Sequence, residues 1–292
     1  MATISDNLKG ALFMMGSMAG FTLNDAFIKL ASSELPFFQI VFLRGIPATL
    51  LMALVAHWFG LLTFRIPRDD IRRVAIRSLA EIGAVYFFLT ALFNMPIANA
   101  IAILQILPLV VALAGYLFLG EPLGWRRIMA IVIGFLGMLL IVRPGAEGFT
   151  IYAVYVLIAV LMVTIRDLAT RGVSKETPSF TVAIASSTAV LVFAGFGATG
   201  TEWVPLTPRL GLILLASSVF IAAAYLFGVL TMRVGEIGFI APFRYTSLVW
   251  ALILGVLMFG EWPEPITLLG ATIVVATGIF TLYRERIASR RA

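Results

Sequence analysis

The sequence predicts an all-α membrane protein, with ten transmembrane helices in two inverted-topology five-helix repeats around a central cavity. Three observations lead there. The chain of 292 residues is 61% hydrophobic and 12% charged, with a mean hydropathy of +1.04. A soluble domain is nearer half apolar and a quarter charged, so the solvent for this surface is lipid. Loop signals divide the chain into ten apolar runs, each close to the roughly 20 residues that cross a hydrocarbon core. Finally, a polar phrase recurs deep in two of those runs, with Asp25 and Asp167 standing 142 positions apart.

The first run, at about 8–31, follows a short polar stretch, Met1–Asn7, and lacks the small-residue cleavage site of a leader; it reads as the first span. The others fall at about 36–58, 73–93, 96–118, 124–143, 149–168, 177–198, 208–232, 237–259 and 264–284. Short breaks rich in Pro or Gly separate several of them: Asn94-Met-Pro96, Gly120-Glu-Pro-Leu-Gly124, Arg143-Pro-Gly145, Gly235-Glu236 and Gly260-Glu-Trp-Pro263. These are expected to be tight helix-to-helix turns. The runs show no sustained period-two alternation, which argues against strands and a β-barrel.

Orientation follows from the basic residues, which collect on the cytoplasmic side of membrane proteins. Fifteen of the 21 Lys and Arg fall on the side of the N-terminus, against Lys29, Arg143 and Arg209 on the other; Arg44, Arg77 and Arg244 lie within spans. Both termini are therefore expected in the cytoplasm. Trp58 and Trp125 near the inner ends, and Trp203 and Trp262 near the outer ends, have the placement of interfacial belts. The pI of about 10.0 is then a positive-inside signature rather than a nucleic-acid footprint, because the basic residues are spread over short loops. No cysteine and a single histidine, His57, leave no thiolate or histidine-based metal site.

The repeated phrase reads Thr22-Leu-Asn24-Asp25-Ala-Phe-Ile-Lys29 in the first copy and Thr164-Ile-Arg166-Asp167-Leu-Ala-Thr-Arg171 in the second. Glu34 and Pro36 follow the first as Glu176 and Pro178 follow the second. Leu117-Phe-Leu-Gly120-Glu121 returns as Leu257-Met-Phe-Gly260-Glu261, and Val85-Tyr86-Phe-Phe88 as Ala224-Tyr225-Leu-Phe227. Residues 1–147 and 148–292 thus read as two copies of five helices. Five is odd, so the second copy enters the membrane from the opposite side. Inverted repeats are a recurrent plan of secondary transporters, with the substrate near the midplane; an old duplication kept for packing in a channel or scaffold is the other reading.

Ionisable residues inside a span are costly and tend to be functional. Inversion places Asn24, Asp25, Lys29 and Arg44 toward the outer side, and Arg166, Asp167, Arg171, Arg244 and Tyr245 toward the inner side. These two clusters are expected to be gates or substrate anchors. Asp25 and Lys29 are spaced to pair along one helix face, as are Arg77 and Glu81, while Lys29, Arg166 and Arg171 also suit simple snorkelling to headgroups. Glu81 is, after Asp25, the best-placed carboxylate for a coupling proton. Gln105 aligns with Tyr245 and suits either a central cavity or helix-to-helix hydrogen bonding. Pro108 and Pro242 lie beside them, each freeing a carbonyl inside a helix. Tyr86, Tyr225, Phe243, Tyr245 and Trp250 are candidate aromatic wall for a planar or cationic solute. No P-loop or HExxH motif is present, and no enzymatic set is expected.

With these residues in place, the chain resembles the drug/metabolite transporter superfamily in its ten-helix form of two EamA-type repeats. The most specific stretch is Ala241-Pro-Phe-Arg-Tyr-Thr-Ser-Leu-Val-Trp250, continued by Phe259-Gly-Glu261-Trp-Pro263 and Leu269-Gly270. Asn24-Asp25 with Phe42-Leu-Arg44 also looks like a subgroup that includes bacterial S-adenosylmethionine uptake carriers. The resemblance implies a basket of helices around a cavity, alternating access without ATP hydrolysis, and residence in a bacterial inner membrane. The expected activity is secondary transport of a small polar or amphipathic metabolite, amino-acid, S-adenosylmethionine-like or related, by exchange or a proton gradient. No cofactor and no nucleic acid is expected, and both monomer and homodimer stay open. A non-transporting receptor or scaffold is the alternative.

Overall fold

A hydrocarbon solvent leaves a backbone no partner but itself, and the helix satisfies it within one segment. The computed structural model describes residues 4–60, 62, 66–120, 124–143, 150–174, 176–234 and 240–289. Among these, every regular element is helical: α1 Ile4–Ala31, α2 Phe37–Trp58, α3 Arg68–Asn94, α4 Ile97–Leu104, α5 Leu107–Leu119, α6 Trp125–Val142, α7 Ile151–Arg171, α8 Ser179–Thr199, α9 Pro208–Arg233, a 3-10 turn Ala241–Tyr245, α10 Thr246–Phe259 and α11 Pro265–Ser289. Eight runs among them are long and apolar enough to cross a membrane, with Ile97–Phe118 and Ala241–Phe259 each counting as one; Ile128–Val142 and Pro265–Thr281 are shorter apolar stretches. Among the described residues these make ten apolar helical units, and the protein is a multi-pass membrane protein. The expected repeat boundary at 147/148, and the turn residues Glu121, Gly145 and Gly235-Glu236, lie outside the described residues.

Local chemistry sets the ends. Pro36, Pro67, Pro96 and Pro178 stand directly before α2, α3, α4 and α8, where a missing N–H leaves no helical bond unmade. Gly120 and Gly260 close α5 and α10 with φ of 68° and 64°, a left-handed backbone that glycine adopts without steric cost. These two glycines are matched positions of the internal repeat. Helix α3 begins at Arg68, earlier than the apolar run alone suggests, with Asp69 and Asp70 in its first turn beside the positive end of the helix dipole.

Two spans are broken at matched places. The fourth interrupts at Gln105–Ile106, with Pro108 at the start of α5. In the ninth, the described residues include a 3-10 turn containing Pro242, and the span is α-helical from Thr246.

Helix packing follows one exchange rule. Pairing α1 with α7, α2 with α8, α3 with α9, α4–α5 with the 3-10 turn and α10, and α6 with α11 maps the major contacts onto one another. Thus α1 packs on α9 as α7 packs on α3, and α2 on α9 as α8 on α3. The pairs α2–α8, α4–α10 and α6–α11 map onto themselves. Nearly every large contact joins the first five spans to the last five, so the halves are interlaced. Fully buried Ile28, Ile40, Leu92, Ile97 and Ile103 anchor the core toward the end of the bundle that holds Lys29. Leu50, Phe118, Phe196 and Leu257 are exposed outward, as a lipid-facing surface requires. Trp58, Trp125 and Trp262, at 86%, 70% and 80% exposure, mark helix ends.

Candidate functional site

Six helices, α1, α2, α3, α7, α8 and α9, line a cavity of about 370 Å³, with Leu104 of α4 also on its wall. They form three exchange pairs, so the cavity lies on the axis of the interlaced halves. Its wall is mostly apolar, and its polar groups form two tiers.

The first tier joins α1, α2 and α9. Asn24 donates from Nδ2 to Asp25 Oδ1 at 2.9 Å, and Ser217 donates from Oγ to Asn24 Oδ1 at 3.2 Å. Asp25 is thereby oriented by a buried amide that a hydroxyl of α9 holds in turn. Ser218 donates to the carbonyl of Arg44 at 3.0 Å, fixing α2 against α9. The Arg44 guanidinium makes no hydrogen bond with the described residues, and its Nε is fully buried without a partner.

The second tier joins α3, α7 and α8. Arg166 reaches Glu81 through Nη1 at 3.2 Å and Asp167 through Nη2 at 2.9 Å. Arg77 donates from Nε to Thr170 Oγ1 at 2.9 Å, and from Nη1 to Ser186 Oγ and the Val182 carbonyl. Ser78 and Ser186 hydroxyls meet at 3.1 Å, and those of Thr49 and Ser187 at 2.7 Å. Phe21 and Tyr225 meet edge to face at 5.4 Å on the cavity wall. Among the described residues no cluster of three or more His, Asp or Glu is placed to hold a metal ion.

Beyond the first tier the cavity ends on Ile28, Val41 and Leu89, all nearly fully buried, and a charged latch lies past them. Lys29 donates from Nζ to Glu261 Oε1 at 2.7 Å and to the Met95 carbonyl at 2.5 Å. The amide of Ile97 donates to Glu261 Oε2 at 2.8 Å, and the ammonium sits 5.1 Å from the centre of the Phe259 ring.

Of the residues singled out in the sequence, Asn24, Asp25, Arg44 and Glu81 line the cavity. Asp167 stands behind Arg166, which does line it. Gln105 does not reach the cavity: its Nε2 donates to the Tyr245 carbonyl at 3.3 Å, and Ser247 donates to its Oε1 at 3.3 Å. It braces one broken span against the other, the helix-to-helix alternative. Tyr245 is buried beside α11, where Gly278 leaves room for its ring. Tyr86 belongs to an aromatic cluster with Phe37 at 5.4 Å and Phe193 at 6.4 Å. Trp250 is 36% exposed on α10, and neither Phe243 nor Arg244 lines the cavity. The helical-spacing pairs also differ: Lys29 joins Glu261 rather than Asp25, and Glu81 joins Arg166 rather than Arg77. In the sequence Glu261 stands out through the repeated Gly-Glu turn and the family-like stretch Phe259–Pro263, though not as a partner of Lys29, and Ser186 and Ser187 carry no distinguishing signal.

Residues 8–143 match the family described as EamA-like transporter family. The S-adenosylmethionine uptake transporter of Rickettsia conorii is 25% identical, covering 97% of this chain and 96% of its own. The pseudopaline exporter of Pseudomonas aeruginosa is 28% identical over 94% and 97%, and the riboflavin transporter of Vibrio cholerae 24% identical over 97% and 96%. A solved crystal structure superposes with a TM-score of 0.65 over 92% of this chain and 97% of its own, at 16% identity; that likeness is one of fold. An EamA-like match over the first half and a likeness to transporters along the whole length point the same way: the chain is similar throughout to membrane transporters of small metabolites.

Proposed function

We propose that the protein is a secondary carrier that moves a small polar or amphipathic metabolite across a bacterial cytoplasmic membrane by alternating access, with both termini in the cytoplasm. The observation that carries this reading is the cavity itself. It lies between two interlaced sets of helices related by exchange, with charged residues in both tiers and a latch across one end. Such a bundle has two related arrangements of similar energy, one for each side. Residues 1–147 and 148–292 are then the two repeats. Asn24, Asp25, Arg44 and Glu81 contact substrate, Asp167 orients Arg166, and Gln105 with Tyr245 marks where the broken spans bend. Driving force comes from exchange or a proton gradient. Named relatives include both uptake and export proteins, so direction is not inherited from them, whereas S-adenosylmethionine and riboflavin are the first solutes to try.

The experiment is counterflow in proteoliposomes. Labelled S-adenosylmethionine or riboflavin is expected to enter faster when the vesicles are preloaded with the same unlabelled solute. Asp25→Asn and Arg44→Ala are each expected to lower that flux at least about tenfold, as loss of a buried polar contact to substrate does, with the protein still monodisperse. Binding of a solute without any counterflow overturns the carrier reading.

A further inference from the structure

We infer that Arg44 and Asp25 together form a receptor for the α-amino carboxylate end of a zwitterionic substrate; this rests on the cavity being the transport site. The argument begins with Arg44. A guanidinium presents five donors in a planar fork suited to a carboxylate, and a buried donor left unpaired is costly. Arg44 Nε is such a donor, and the side chain that carries it lines the cavity with no hydrogen-bond partner on the protein. Every other charged group lining the cavity is engaged: Arg77 by Ser186 and Thr170, Arg166 by Glu81 and Asp167, and Asp25 by Asn24 on one oxygen.

Asp25 lies within electrostatic range of Arg44, yet the two form no ion pair within 4.0 Å. They stand as a carboxyl and a guanidinium on α1 and α2, each with hydrogen-bonding capacity to spare. Formal charges around the cavity also balance, with Arg44, Arg77 and Arg166 against Asp25, Glu81 and Asp167. A plain anion would satisfy Arg44 but meet the Asp25 carboxylate as a like charge, and a plain cation would leave the Arg44 guanidinium unpaired. A ligand of zero net charge at this end, carboxylate toward Arg44 and ammonium toward Asp25, satisfies both. The remaining wall, with Phe21, Val85 and Phe88, accommodates an apolar or planar side chain. A cavity of about 370 Å³ falls in the range of about 300–1,000 Å³ that holds small ligands.

The test is thermal unfolding of the purified full chain with matched sets of probes. These are L-methionine and L-phenylalanine, the deaminated analogue of each, and the decarboxylated analogue of each, with S-adenosylmethionine and riboflavin alongside. At least one amino acid or S-adenosylmethionine is expected to stabilise the protein, with each analogue lacking one charge at least about tenfold weaker. Arg44→Gln is expected to abolish the stabilisation. Asp25→Asn is expected to bring the deaminated analogue up to the level of the amino acid, a gain of binding that a misfolded protein cannot give. The inference is overturned if either single-charge analogue binds the unaltered protein as tightly as the amino acid. It is also overturned if riboflavin binds and undergoes counterflow while no zwitterion does, an outcome that leaves the carrier reading intact. Neither binding nor counterflow with any probe overturns both.

Discussion

Lys29 is held by three groups at once: the Glu261 carboxylate, the Met95 carbonyl and the face of the Phe259 ring. Its side chain is 10% exposed and that of Glu261 21%, so water competes little for either. Lys29→Ala leaves a half-buried carboxylate oxygen and a carbonyl unpaired, at a cost of about 1–3 kcal/mol. A lower unfolding midpoint is expected, with Lys29→Arg recovering most of it. An unchanged midpoint for Lys29→Ala would mean that water closes that end equally well. This residue also shows where sequence spacing stops informing. Asp25 and Lys29 are positioned to pair on one helix, but such pairs contribute only about 0.2–0.5 kcal/mol. An interhelical carboxylate in drier surroundings outweighs that, and Glu261 lies 232 positions along the chain. The pairing of Glu81 with Arg166 follows the same logic. Asp25, with Arg44 as its candidate partner, was legible because a short carboxylate in an apolar run has few bland explanations; that the two make no direct ion pair was not.

At the scale of elements, α6 and α11 approach through glycine. A Cβ on Gly270 would meet the Gly137 carbonyl and the side chains of Leu140 and Ile141, and one on Gly137 would meet Ile273. Close approach through small residues is how helices associate where water supplies no hydrophobic drive. Gly270→Leu is expected to force the pair apart and to lower stability by about 1–3 kcal/mol. No residue of α6 or α11 lines the cavity, so affinity for a bound solute should be unchanged in the protein that remains folded. Loss of affinity in step with stability would tie α6 and α11 to the site. The breaks in the fourth and ninth spans could be read beforehand from Pro108 and Pro242, because a missing donor acts locally. What Gln105 does at the first break could not, since its partners Tyr245 and Ser247 arrive through the fold.

The whole molecule is held together across its halves more than within them. Helices α1, α2 and α3 find their principal partners in α7, α8 and α9. A fragment of residues 1–147 expressed alone is therefore expected to lack a stable fold in detergent, and co-expression with 148–292 to restore a monodisperse complex. A well-behaved monomer of either half would contradict the interlacing. The repeat that made ten spans legible says nothing about which half each helix prefers, because that is decided by side-chain fit between helices of opposite direction. One consequence concerns how the bundle parts at the Lys29 end. Glu261 uses separate oxygens for Lys29 and for the amide of Ile97 that opens α4. Drawing α1 away breaks the first contact and leaves the second whole, so the α10–α11 turn and the start of α4 stay welded while α1 departs. The seam runs beside α1: when it opens, the first amide of α4 keeps its carboxylate, and only the Met95 carbonyl at the end of α3 loses its Lys29 donor.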